Sequence, residues 1–138
     1  MAPECAPYRW SQLREAAAAA AMRAYAPYSH YRVGAAAATC NGRILTGCNV
    51  ENAAYGVALC AECGLISELV NSGGGHLCAF VCLNANGKVI MPCGRCRQLL
   101  AEHGAAHLTI LTPTGEHNIS AILPLAFSAA DLDVKEDS

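Results

Sequence analysis

Two pairs of cysteines have the spacing that metal sites use. The first lies in Cys60-Ala-Glu-Cys63 and the second in Pro92-Cys-Gly-Arg-Cys96, with 29 residues between the pairs. Four thiolates would close a structural zinc site, whereas three would leave the fourth position to water and allow catalysis. One pair could instead be a redox dithiol, so the spacing alone leaves three interpretations open.

Glu62 favours the catalytic interpretation. It lies two residues after Cys60, at the expected start of a helix. From there a carboxylate can turn toward a metal without becoming a ligand, which is where a general base for water is needed.

The elements that must position these residues alternate between helices and strands. Apolar periodicity, turn residues and helix stops predict the order α-β-β-α-β-α-β. We expect one α/β domain over residues 1–138, with a core of about 10–131. Its fold is a three-layer α-β-α sandwich on a mixed sheet, mostly parallel after one antiparallel hairpin. The expected helices are 11–25, 60–70, 93–102 and 120–123, and the expected strands are 33–40, 43–49, 77–83, 88–91 and 108–111.

Composition excludes several classes of protein. The chain is 54% apolar and 14% charged, which argues against disorder. Arg14, Glu15 and Arg23 bracket the alanine run, so no window is long enough to span a membrane. The start Met1–Glu4 does not resemble a signal peptide, and we expect a cytoplasmic protein without a membrane partner.

The net charge of −2 predicts no polymeric nucleic-acid partner, since such partners require a basic face. The sparse charge also suggests apolar surface covered by copies of the same chain. Four of the last eight residues are acidic, and we expect this tail to be mobile.

The other cysteines and the histidines carry no chemical role in this interpretation. Nine cysteines is an odd number, so disulfides are the weaker interpretation. Cys40, Cys48, Cys78 and Cys82 lie in strand-like runs and are expected to be small core residues. His103 and His107 have the spacing of a metal pair, but Gly104 breaks the helix between them, which predicts surface residues.

Six blocks of sequence resemble, in order, those of the small tetrameric cytidine deaminases. They cover nearly the whole chain, roughly residues 10 to 131: Tyr25-Ala-Pro-Tyr-Ser29, Val33-Gly-Ala-Ala36, Gly47-Cys-Asn-Val-Glu-Asn-Ala-Ala-Tyr55, Cys60-Ala-Glu62, Pro92-Cys-Gly-Arg-Cys-Arg-Gln98 and Leu123-Pro-Leu-Ala-Phe127. The resemblance implies a cytidine deaminase-like fold and a homotetramer whose active sites are shared across interfaces.

The resemblance also implies a reaction, a cofactor and a set of site residues. The reaction is hydrolytic deamination of cytidine and deoxycytidine to uridine and deoxyuridine in pyrimidine salvage. Hydroxide generated on zinc attacks C4 of the base, and Glu62 shuttles the protons. One Zn²⁺ per chain would be bound by Cys60, Cys93 and Cys96. The implied substrate contacts are Asn49 and Glu51 to the ribose, Tyr31 packing on the pyrimidine, Tyr55 and Phe127 closing the pocket, and the backbone of Ala53, Ala54 and Ala61 reading the base edge.

One position departs from the family pattern. Many relatives carry arginine directly after the catalytic glutamate, where this chain has Cys63. Three thiolates and Glu62 around zinc give an excess of negative charge, which Arg95 or Arg97 could balance. Cys63 also keeps open a four-cysteine zinc domain without turnover. A further alternative is a deaminase of another aminopyrimidine nucleoside. From the residues alone, Asn49 and Glu51 would be interpreted as part of a solvated loop.

Overall fold

A six-stranded sheet flanked by helices forms the centre of the structure, a computed structural model that describes residues 5–132. The helices are α1 (Trp10–Ala21), α2 (Ala61–Asn71), α3 (Gly94–His103) and α4 (Ile119–Ile122). The strands are β1 (Val33–Thr39), β2 (Ile44–Cys48), β3 (Leu77–Asn84), β4 (Val89–Ile90), β5 (Gly104–Thr112) and β6 (Gly115–Asn118). Short 3₁₀ turns occupy Tyr55–Val57 and Ala129–Leu132.

The strand order is β2-β1-β3-β5-β6, with β4 paired to β3. The sheet is mixed, as predicted, but the expectation that it is mostly parallel is wrong. Only β3 and β5 pair in parallel among the described strands, and the other pairs are antiparallel. The crossover through α2 does make β2 and β3 run in the same direction. However, β1 lies between them and is antiparallel to both.

The two faces of the sheet carry different helices, which confirms the three-layer sandwich. Alternation along β1 sends Ala36 and Ala38 toward Leu13 and Ala17 of α1. Ala35 and Ala37 point to the opposite face, where they belong to a buried cluster with residues of α2 and α3, including Leu65 and Leu100. Small side chains on the strand let helices approach both faces closely.

Most element boundaries agree with the sequence prediction to within one residue, but α1 and β5 differ. The first helix ends at Ala21 rather than near Tyr25, because the Tyr25 backbone instead pairs with the segment around Val50. Strand β5 begins at Gly104, directly after α3, whereas the sequence predicts its start at residue 108.

The sequence does not predict strand β6, because Gly-Glu-His-Asn is polar and lacks the β-branched and aromatic residues typical of strands. In the structure β6 lies at the edge of the sheet. The predicted mobile acidic tail falls largely beyond Leu132, outside the described residues. No helix within residues 5–132 combines the length and apolarity needed to cross a membrane.

Candidate active site

Three of the four motif cysteines meet where two helices begin. Cys60 is the N-cap residue of α2 and Cys93 is the N-cap residue of α3, while Cys96 lies in the first turn of α3. Their sulfur atoms all lie within 4.8 Å of one another, and the Cys60 and Cys93 Sγ atoms are 3.8 Å apart. Zn–S bonds of ~2.3 Å at a tetrahedral angle require a sulfur separation of ~3.8 Å. The geometry therefore suits zinc.

The electrostatics of the three thiols also suit a bound cation. Burial raises the pKa of the Cys60 thiol, and burial together with the Glu62 charge raises that of Cys96. Burial alone would also raise the pKa of the Cys93 thiol. Hydrogen bonds from the Cys96 backbone and from the Cys96 and Cys60 thiols have the larger effect, so the pKa of Cys93 is lowered. Three clustered thiolates are costly unless positive charge faces them. The amino ends of α2 and α3 supply part of it, and a divalent metal would supply the rest.

Glu62 lies beside this cluster with only 3% of its surface exposed. It occupies the first turn of α2 and lines the same cavity as Cys60 and Cys93. Burial raises the pKa of its carboxyl above the usual range, while hydrogen bonds from its own backbone and from the thiols of Cys96 and Cys82 act in the opposite direction. A buried carboxyl whose pKa is raised holds a proton more readily than an exposed one, which suits a group that must accept and return protons.

The cavity that contains Glu62 has a volume of about 280 Å³. Asn49, Glu51 and Ala61 form part of its wall. The remaining lining residues are Val33, Ala58, Leu59, Cys82, Ile90, Met91 and the two N-cap cysteines. A mainly apolar cavity with a few polar groups is typical of a site for a small molecule.

A short backbone ladder positions Asn49 and Glu51 next to the cysteines. Val50 exchanges hydrogen bonds with Leu59, and the amide of Tyr25 donates to the carbonyl of Asn49. The Asn49 side chain accepts from the Val33 amide at 2.8 Å and donates to the Tyr31 carbonyl at 2.9 Å. These bonds fix its orientation, so Asn49 is not the freely solvated loop residue that its sequence context alone suggested.

The Glu51 carboxylate is held by a separate set of hydrogen bonds. It accepts from the backbone amides of Tyr28 at 3.0 Å and Ser29 at 3.1 Å, and from the Ser29 hydroxyl. The Ser29 hydroxyl is the main cause of a lowered Glu51 pKa, with the two amides adding to it. Glu51 therefore presents a fixed carboxylate in the wall of the cavity.

Five of the predicted substrate contacts lie outside this cavity of the single chain. Tyr55 is 82% exposed and lines a neighbouring depression with Glu51, while Phe127 is 58% exposed. Tyr31 is also exposed, and its backbone takes part in the site: its carbonyl accepts from Asn49, and its amide donates to the Ser29 hydroxyl that bonds to Glu51. Ala53 and Ala54 are exposed just before the 3₁₀ turn at Tyr55. The roles of these five residues remain predictions.

The residues around the fourth motif cysteine are arranged differently. The Cys63 sulfur does not belong to the three-sulfur cluster, and the Arg95 guanidinium donates to it at 3.8 Å. Arg97 donates instead to the carbonyls of Pro92 and Ile122, so it braces the loop before α3 and the end of α4. Arg95 is thus the better placed of the two for charge balance near the motif.

Cys82 is a site residue that the sequence interpretation placed only in the core. It is buried, as expected, but it also lines the cavity, and burial raises the pKa of its thiol. Its thiol donates to the Ile90 carbonyl at 3.2 Å. The alternation of β3 directs Cys82 and Phe80 to the same face, but no spacing in the sequence reveals that Cys82 reaches the cavity.

Comparison with known proteins agrees with this geometry. Residues 9–112 match the family model described as the cytidine and deoxycytidylate deaminase zinc-binding region. A cytidine deaminase from Mycobacterium tuberculosis is 50% identical over 123 residues, which are 89% of this chain and 92% of the relative. The crystal structure of a cytidine deaminase from Mycobacterium leprae has 52% identity and a TM-score of 0.83, covering 86% of this chain and 99% of the other.

A more distant structure shows the same fold. The cytidine deaminase from Burkholderia pseudomallei has 37% identity and a TM-score of 0.78, with 87% of this chain and 100% of the other covered. The family model spans most of the chain and includes every cysteine of the motif. The chain therefore belongs to the cytidine and deoxycytidylate deaminase family.

Proposed function

We propose that this protein catalyses the hydrolytic deamination of cytidine and deoxycytidine to uridine and deoxyuridine, with release of ammonia, in pyrimidine salvage. One observation carries the proposal: the buried Glu62 carboxyl lies in a small-molecule cavity beside the sulfur cluster of Cys60, Cys93 and Cys96. Membership of the deaminase family, and 50% identity to a relative named cytidine deaminase, support the same substrate.

Cys60, Cys93 and Cys96 would hold one Zn²⁺ at this site. When bound by three protein ligands, zinc supplies a water of pKa ~7 as a nucleophile at neutral pH. Cys63 is not needed as a ligand, because its sulfur lies outside the cluster and contacts Arg95. The three-thiolate arrangement leaves room for water, which a closed four-cysteine site would not.

Glu62 is the proposed proton carrier. It accepts a proton from the attacking water and delivers it to N3 of the pyrimidine. It then takes the second proton from the hydroxyl group formed at C4 and delivers it to the departing amine, so that water and cytidine yield uridine and ammonia. Burial favours this role, because it raises the pKa of the Glu62 carboxyl and lets the group bind and release a proton within one turnover.

Asn49 and Glu51 are proposed to bind the ribose. Their hydrogen bonds to the backbone of residues 28–33 hold both side chains at the cavity wall before substrate arrives. Preorganised polar groups of this kind improve affinity because less motion is lost on binding. The backbone of Ala61, at the start of α2, is proposed to contact the base edge, with Ala53 and Ala54 completing that contact.

The proposed assembly is a homotetramer with shared active sites. Tyr55, Phe127 and Tyr31 are exposed, and Tyr55 lines a depression together with Glu51. Exposed aromatic side chains are typical of protein interfaces. Covering them with a neighbouring chain would close the cavity over the pyrimidine. The cytoplasm is the proposed location, supported by seven free thiols within residues 5–132, since free thiols persist in reducing compartments.

Conversion of cytidine by the purified protein tests the proposal. Cytidine and deoxycytidine are incubated separately with the zinc-loaded protein, and the nucleosides are separated by chromatography while ammonia is measured in parallel. We expect uridine or deoxyuridine and ammonia in a 1:1 ratio. Absence of product from both nucleosides, with zinc bound and the protein folded, would instead indicate a zinc domain without this activity.

A further inference from the structure

A second group of metal-binding side chains lies outside the active site. Its centre is Cys5, Cys40 and Cys78, whose sulfur atoms all lie within 4.8 Å of one another, and His107 adjoins it through Cys5. The four residues come from separate parts of the chain. The Cys40 and Cys78 sulfur atoms are 2.6 Å apart and those of Cys5 and Cys40 are 3.5 Å apart. The His107 Nε2 atom lies 2.8 Å from the Cys5 sulfur. The structure also joins Cys5 to Cys78 by a disulfide, contrary to the sequence expectation of free core thiols.

The backbone around the group holds these residues together. The Ala6 amide donates to the Cys40 carbonyl at 2.9 Å, which ties the segment before α1 to the end of β1. The Cys40 amide donates in turn to the His76 carbonyl at 2.9 Å, next to β3. The three cysteines therefore converge through main-chain contacts as well as through their side chains.

A register shift between β3 and β5 brings in the histidine. Leu77 pairs with Gly104 and Ala79 pairs with Thr109, so residues 105–108 of β5 lie opposite the single residue Cys78. His107 lies within this widened stretch and reaches Cys5 from the exposed side of the strand. The sequence expectation that His107 is only a surface residue is therefore incomplete.

Three thiols and one imidazole are a complete donor set for structural zinc. The Cys5–Cys78 disulfide uses only two of the three sulfurs. The Cys40 thiol and the His107 ring then contact disulfide sulfurs, which are uncharged and are poor metal ligands. A tetrahedral zinc ion needs sulfur separations of ~3.8 Å, so the Cys5–Cys78 bond must be reduced and the Cys40 and Cys78 sulfurs must separate by about 1 Å. The His107 ring, which now contacts only the Cys5 sulfur of the group, must also turn toward the other two sulfurs. Zinc would then satisfy all four residues at once.

We propose that, in the chain with reduced cysteines, Cys5, Cys40, Cys78 and His107 form a second, structural zinc site. Binding needs no redox step: the three thiols release three protons and form three Zn–S bonds, and neutral His107 donates a lone pair. The four protein ligands leave no open position for water, so this zinc is structural. The disulfide, in contrast, forms only if an oxidant removes two electrons and two protons.

The second site is separate from the first. Cys78 and Cys82 both lie on β3, and Cys82 lines the active-site cavity. Four residues of a strand span ~13 Å, so Cys78 of the second group and Cys82 of the active-site cavity are about that far apart along β3. The second zinc would fasten the segment before α1 to the end of the sheet, and its loss would lower thermal stability without removing the active site.

Zinc counting on matched variants tests the inference. The protein and its variants are purified with a thiol reductant, exchanged into buffer with Zn²⁺, freed of excess metal and assayed for zinc per chain. We expect two zinc ions in the wild type and one in Cys40→Ala. Cys48→Ala is the control, because Cys48 is a half-buried free thiol outside both groups, and it should keep two. Cys5→Ala provides a second removal of a ligand, at the chain segment before α1.

Cys60→Ala and the activity assay separate this inference from the proposed function. Cys60→Ala should keep one zinc ion and lose cytidine turnover, whereas Cys40→Ala should lose one zinc ion and keep turnover. One zinc ion per wild-type chain, together with full turnover, would overturn the second site and leave the proposed function intact. The mass of the intact chain, measured after treatment with reductant and zinc, gives a second test. A mass lower than that of the fully reduced chain by two hydrogens would show that the disulfide persists, and would overturn the second zinc site.

Discussion

Replacing Gly47 with alanine tests how closely β2 must approach the helix that carries Glu62. A Cβ added at Gly47 would lie 2.2 Å from the Ala61 carbonyl oxygen and 2.9 Å from the Leu65 amide nitrogen. Both atoms are backbone atoms of α2, so no side-chain rotation relieves the contact. The helix must therefore retreat by about 1 Å to restore ordinary contact distances of roughly 3.4 Å.

That displacement has two expected consequences. Overpacking of this kind typically costs ~1–3 kcal/mol in the free energy of unfolding. A misplacement of about 1 Å can also lower a rate by ~10²-fold, and here it moves Cys60 and Glu62 at the start of α2. We therefore expect Gly47→Ala to lower both the melting temperature and kcat/KM for cytidine.

Gly64→Ala is the matched control for this experiment. Gly64 lies on the same helix, is exposed, and has no atom within 4 Å of an added Cβ. Alanine there should stabilise the helix by up to ~1 kcal/mol, because glycine is the poorer helix former. Thermal unfolding by circular dichroism and steady-state kinetics are measured on both variants. Wild-type stability and kcat/KM in Gly47→Ala would refute the close-packing argument.

Three further outcomes follow from the site and its surface. Cys63→Ala should keep its zinc and most of its activity, as measured by zinc analysis and cytidine turnover. Zinc loss equal to that of Cys60→Ala would favour four thiolate ligands. Glu51→Gln should raise KM for cytidine by about tenfold, because the proposed hydrogen bond from the ribose to the charged Glu51 carboxylate becomes a weaker bond to a neutral amide. An unchanged KM would show that Glu51 does not bind the ribose. Light scattering should give four chains per particle, and a fully active monomer at low concentration would contradict the shared site.

Local patterns in the sequence predicted the active-site elements well. The sequence predicts helices that begin at Cys60 and Cys93, and the structure places both residues at the N-cap position, one residue before each helix. The Asn41-Gly42 turn likewise joins β1 to β2, and Gly42 adopts the positive φ of 89° that such a turn requires. These features depend on neighbours in sequence, so composition and spacing are sufficient to predict them.

Long-range pairing was harder to predict. The antiparallel pairing of β1 with β3 depends on which strand is inserted into the sheet, and no residue of β1 encodes that order. The group of Cys5, Cys40, Cys78 and His107 is brought together across 102 residues and has no spacing signal. The sequence therefore predicts core positions for Cys40 and Cys78. The structure confirms this for Cys78, which is buried, whereas Cys40 is only half-buried.

The proposed role of Glu62 is tested most directly by Glu62→Gln. The amide keeps the shape of the side chain but cannot carry protons, so turnover of cytidine should fall by at least ~10²–10⁴-fold. Zinc content is measured on the same sample and should equal that of the wild type, because Glu62 is not one of the three clustered ligands. Near wild-type turnover in Glu62→Gln, with wild-type zinc content, would contradict the central claim that Glu62 carries the protons of deamination.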